Sequence, residues 1–140
     1  SDASVTASSL LCLEHPAAEK DGLAIKSGDT VLLHTDHHRR TYGTPDIASG
    51  WPGFSASVAR RFGKMKIAAF GVESLGPGIP RVSNREVHQI CGEMGYTQNE
   101  NLVNLHLLVG KGRFKFIAFP LKIRVGTGSP VRAVAVLDDE

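Results

Sequence analysis

His88 and Glu100 lie in the stretch Val87-His88-Gln89-Ile90 through Gln98-Asn99-Glu100-Asn101-Leu102-Val103-Asn104-Leu105. An imidazole nitrogen and a carboxylate oxygen are donors that Zn²⁺ or Mn²⁺ accepts. A catalytic zinc takes three protein ligands and keeps a further position for water, so two donors make half of a site. Read alone, His88 is a histidine on a helix face satisfied by a backbone carbonyl, and Glu100 a solvated charge. The apolar run after Glu100 argues for burying its carboxylate, however, and a buried carboxylate needs a cation.

The densest group of ligand-type residues is His34, Asp36, His37 and His38. It matches only part of a His-x-His-x-Asp-His metal motif. His37 is a candidate for lining a substrate pocket, and Tyr42 and Trp51 on the same stretch could stack on an aromatic ring. A loop tryptophan can equally be a lid over the core. The glycines of Gly126-Thr127-Gly128-Ser129 lack the following helix and Lys-Ser/Thr of a phosphate loop, and predict a hairpin turn. Arg132, in a strand that looks buried, predicts a structural ion pair. Ser1 as an N-terminal nucleophile has no base near it in the sequence.

These residues must be positioned by elements of both kinds. Residues 1–9 are small and polar and fit an arm or an extended segment better than a core element. Thr30–Thr35 is β-branched and apolar, a buried strand entered through the turn chemistry of Ser27-Gly28-Asp29. From Asp36 to Gly53 neither period holds, which predicts a long loop. Phe54, Val58 and Phe62 repeat helically, with Ser55 as cap and Gly63 as stop. Lys66–Val72 is a second buried strand leading into a Gly/Pro loop. Ser83 with Glu86 forms a capping-box pattern for a helix through Val87, Ile90 and Met94 that Gly95 closes. On that helix His88 lies one turn from Cys91 and shares a face with Asn84. Phe114–Phe119, Leu121–Val125 and Val131–Leu137 are strand-like. Strands and helices alternate first and strands dominate later, so the fold class expected is α/β tending to α+β.

The chain has 140 residues, 41% hydrophobic and 21% charged, the size of one ordinary domain. Its formal charge of +2 is too small to argue for nucleic acid or an anionic membrane. Cys12 and Cys91 belong to no CxxC spacing, which favours a reduced setting. No apolar run approaches the roughly 20 residues a membrane helix needs, and no basic n-region precedes Leu10-Leu11-Cys12-Leu13. A cytoplasmic protein is the expectation.

Five stretches together resemble one family, the metal-dependent hydrolases of the cyclase or kynurenine formamidase type, which include arylformamidases and isatin hydrolases. In order they are Ile25–Thr35, Phe70-Gly71-Val72-Glu73-Ser74, His88 with Glu100-Asn101-Leu102, Phe119-Pro120-Leu121-Lys122-Ile123, and Gly128–Ala135. The resemblance covers residues 25–140 and leaves 1–24 as an arm or connecting segment. It implies a mixed, barrel-like β-sheet core with flanking helices, of the swivelling β/β/α type. In such proteins a histidine and a glutamate twelve positions apart bind metal, and those roles fall on His88 and Glu100. The cofactor implied is a divalent cation, zinc or manganese, and the chemistry is attack of metal-activated water on an amide.

The family's other ligands come from an upstream His-x-Gly-Thr-His-x-Asp motif that this sequence does not contain. The family also tends to place a Thr-Gly-Trp-like segment where Asp36 and His37 stand. The resemblance therefore implies the C-terminal part of such a hydrolase, for aryl formamides or cyclic amides. Either a second chain supplies the upstream half in a hetero-oligomer, or only a binding scaffold remains. Keeping both ligands at family spacing has little structural purpose otherwise, which favours the first.

Overall fold

The computed structural model describes residues 4–8 and 24–137. Ser1, Cys12 and the Leu10–Leu13 segment lie outside them. Six strands form one mixed sheet. They are β1 (Ser4–Ser8), β2 (Thr30–Leu33), β3 (Ala69–Val72), β4 (Thr97–Asn99), β5 (Arg113–Pro120) and β6 (Val131–Val136), in the order β4-β3-β2-β1-β5-β6. β1 to β4 pair in parallel, and β5 and β6 are antiparallel to their neighbours. Residues 4–8 thus form an interior strand of the sheet, held from both sides by backbone pairing.

Two parallel connections carry the helices. Between β2 and β3 come the short α1 (His37–Thr41), a 3₁₀ turn at Pro45–Ala48, and α2 (Ala56–Met65); between β3 and β4 comes α3 (Asn84–Met94). The stretch from Asp36 to Gly53, expected as loop, therefore contains two short helical pieces. Successive crossovers of one hand in one direction bring their helices to one face, and α2 packs on α3 there. The period-two alternation of β2 then separates two cores. Val31 and Leu33 join Phe70, Val72, Val58, Phe62, Val87 and Ile90 under the helices, with Phe54 edge-on to both Phe62 and Phe70. Leu32 points the other way, into a smaller core with Leu102, Leu105, Leu108 and Phe114.

Helix ends differ from the sequence reading in detail. Ser55 does cap α2 by accepting from Val58 N–H, but the helix runs past Gly63 and stops at Lys66, in the left-handed region. Gly95 closes α3 in that same region at φ 75. Ser83 precedes α3 without capping it, because its hydroxyl donates to the Phe54 carbonyl and accepts from Ile79 N–H. Leu121–Val125 is no strand: with no described strand beside it to pair with, it turns through Ile123 N–H to Leu121 O and Gly126 N–H to Ile123 O. Arg132 is exposed on the edge strand β6, and no carboxylate partner is found for it among the described residues. Its expected burial fails because nothing described covers that side of β6.

Candidate functional site

The parallel strands end together along one edge of the sheet, where open α/β sheets gather their functional side chains. His34, Thr35 and Asp36 follow β2, Glu73 and Ser74 follow β3, and Glu100 follows β4. The reversal at Gly95 returns the chain from α3 into β4. Tyr96 anchors that reversal, buried with its hydroxyl donating to the Ala59 carbonyl at 2.7 Å. Past β4, Asn101 N–H bonds to Ser74 O and Leu102 N–H to Val72 O. Glu100 is thereby pinned beside the helix face that carries His88.

His88 Nε2 lies 3.6 Å from Glu100 Oε1. Burial pushes the Glu100 carboxyl up from its ordinary range, and the nearby His88 partly offsets this. Metal–nitrogen and metal–oxygen bonds of about 2.0–2.2 Å set two donors on one tetrahedral ion roughly 3.4 Å apart. The pair fits as two ligands of one divalent ion. Among the described residues no group of three His, Cys, Asp or Glu side chains is placed to hold one, so the set is partial. Gln98, which the sequence reading passed over, touches both: its Nε2 contacts His88 Nδ1 and lies 3.3 Å from Glu100 Oε1. Only its place two residues before Glu100 on a strand could have signalled it.

The second cluster is distinct. His34 Nε2 is 3.8 Å from Glu73 Oε1 and 3.9 Å from Asp36 Oδ1. Glu73 is buried, and its other oxygen accepts from both the N–H and hydroxyl of Thr35. A glutamate ending the apolar run Ile67–Val72 was the sequence signal for it. His37 is buried on α1 with Nε2 3.3 Å from the Ile47 carbonyl. Tyr42 is 73% exposed and stacks on His38. Trp51 donates from its ring N–H to Gly78 O at 2.9 Å, bracing the loop. These three do not line the cleft of about 930 Å³ that Gln98 and Glu100 border together with Leu102, Leu108, Phe116 and Ser129.

Comparison with known proteins gives three kinds of match. Residues 2–78 match the family described as putative cyclase, a stretch that begins well before residue 25. The kynurenine formamidase of Bacillus cereus (strain ZK / E33L) is 29% identical over 118 residues, covering 83% of this chain and 53% of that protein. An isatin hydrolase solved with the product analogue thioisatinate superposes with a TM-score of 0.80 at 26% identity, over 97% of this chain and 60% of that one. A potential metal-dependent hydrolase with cyclase activity superposes at 0.71 and 18% identity, over 99% of this chain and 65% of that one, a likeness of fold alone. The chain spans about half the length of the curated relatives it matches.

Proposed function

Since this chain belongs to the putative cyclase family, we propose that it forms the His88–Glu100 side of a metal-dependent amide hydrolase. A second chain bearing the His-x-Gly-Thr-His-x-Asp motif supplies the remaining ligands. The observation that carries this reading is the approach of His88 Nε2 and Glu100 Oε1 to 3.6 Å, near the separation of two donors on one divalent ion. A zinc or manganese ion would polarise the amide carbonyl and acidify a water. His88 and Glu100 would hold it from one side, and the leucines bordering the cleft would take the apolar body of an aryl formamide or cyclic amide.

The setting proposed is cytoplasmic, supported by the free thiol of Cys91. No described helix is long and apolar enough to cross a membrane. One observation favours a second reading, a binding scaffold that retains the fold: among the described residues the ligand set stops at two. The test assays the chain co-assembled with a partner bearing the upstream motif, for hydrolysis of an aryl formamide and of a lactam. His88→Ala and Glu100→Gln should each lower kcat/KM by at least about 100-fold and remove bound metal. Metal-free assembly, or full activity in both variants, would leave the scaffold.

A further inference from the structure

One side-chain amide serves both members of the ligand pair. Gln98, the middle residue of β4, sets Nε2 against His88 Nδ1 and at 3.3 Å from Glu100 Oε1. Its Oε1 is buried without a hydrogen-bond partner. An amide nitrogen only donates, and its two hydrogens match the two acceptors, a ring nitrogen and a carboxylate. Nδ1 is then the acceptor, and a neutral ring carries its single proton on Nε2, the nitrogen facing Glu100. Turning the amide over would bring its carbonyl to Nδ1. It would also set that carbonyl against the Glu100 carboxylate and strand two N–H donors where one oxygen is stranded now.

We propose that Gln98 is a positioning residue: its amide nitrogen holds His88 and Glu100 face to face and keeps the proton of the metal-free imidazole on Nε2. The consequence for function rests on the metal reading above. A cation taking Nε2 requires the ring proton to move to Nδ1, with one proton released to water and one taken up. Gln98 thus holds the tautomer that must be given up before the pair is loaded, and its amide must turn or withdraw for Nδ1 to carry the proton.

The experiment uses the metal-free, ¹⁵N-labelled 140-residue chain at about pH 9, above the ordinary imidazole range. Long-range proton–nitrogen spectra should show His88 protonated on Nε2, with a coupling across the hydrogen bond from Gln98 Nε2 to Nδ1. Gln98→Leu should lose the coupling while melting at the wild-type temperature. Gln98→Glu offers only acceptors at Nδ1 and should switch the ring to the Nδ1–H tautomer. A wild-type ring protonated on Nδ1, or one tautomer shared by wild type and Gln98→Glu, overturns the proposal. Zinc titration adds the separating arm: a donor at Nδ1 opposes the Nδ1–H tautomer that ligation through Nε2 requires, so Gln98→Leu is expected to bind zinc roughly 10-fold more tightly than wild type. A wild type with the expected tautomer that takes up no zinc would sink the metal reading and leave the positioning role standing.

Discussion

Cys91 and Tyr96 meet beneath α3, and burial is the main force on both. It pushes the Cys91 thiol up, with the hydrogen bond to Tyr96 pulling the other way, and it pushes the Tyr96 phenol up with the same hydrogen bond adding to the rise. Each group therefore keeps its proton in the folded state when the unfolded chain has released it, so the folded state binds more protons and stability falls as pH rises. The contribution is complete below the unfolded values, 9.0 for the thiol and 10.0 for the phenol. It is lost as pH climbs through the folded ones. Urea unfolding between pH 7 and pH 10.5 should give a stability level at first and declining above about pH 9. Cys91→Ala, whatever its packing cost at neutral pH, should show a shallower alkaline decline; an unchanged slope would mean the thiol is not held protonated. At this scale the sequence shows His88 and Glu100 because their types and spacing are explicit in it. Gln98 is hidden because its role exists only once the Gly95 reversal sets β4 beside α3. His37 reads as a pocket residue only until α1 forms and turns its ring to the Ile47 carbonyl.

Elements meet closely where two glycines leave room, and the two should respond differently to the same change. A Cβ at Gly71 in β3 would stand 2.5 Å from Leu102 Cδ1 and 2.7 Å from Leu32 Cδ2. Both leucines are buried in the smaller core. Gly71→Ala should therefore destabilise by about 1–3 kcal/mol through overpacking. A Cβ at Gly63 would meet Met94 Sδ at 2.3 Å, Cε at 2.5 Å and Cβ at 2.9 Å; the flexible, partly exposed end of Met94 can swing aside, but relief of the Cβ contact needs α2 and α3 to part slightly. Alanine also favours a helix interior by up to about 1 kcal/mol over glycine. Gly63→Ala should accordingly melt closer to the wild-type temperature than Gly71→Ala does, the helix preference of alanine offsetting part of its crowding, a ranking one thermal series decides. The reverse order would contradict the seating of residues 102–108 on β3. The elements legible beforehand, α2, α3, β2, β3, β5 and β6, are those whose burial leaves a period in the sequence. β4 is not, since Thr97-Gln98-Asn99 is polar and becomes a strand only by pairing with Ala69-Phe70-Gly71. Leu121–Val125 shows the converse, a strand-like composition that finds no partner among the described residues.

Among the described residues the helices cover only part of the sheet. α2 and α3 lie over β2 and β3. On β5 and β6 the register pairs Ile117 with Val134, Lys115 with Val136 and Phe119 with Arg132 on one face, while Phe116, Ala133 and Ala135 turn to the smaller core. Phe119 is 73% exposed, Val134 and Val136 nearly half so, and Leu121, Ile123 and Val125 continue the apolar surface past the end of β5. β6 is an edge strand of the sheet. Apolar surface flanking an open edge promotes association. The mixed α/β order is legible from alternation along the chain, but this face, which no described residue covers, is not. Period two marks two faces of a strand without saying which is covered, and Arg132 reads as buried in the sequence for that reason. Sedimentation velocity on the chain alone should show association that grows with concentration. Phe119→Ser with Val134→Thr should reduce it while changing the urea midpoint little, because Phe119 is largely in water and Val134 nearly half so. Adding the proposed upstream-half chain should replace self-association with a single heteromeric species if that chain occupies the same face. A sharp monomer at every concentration, unchanged by the double substitution, would show that this face needs no cover and would remove its support for a partner.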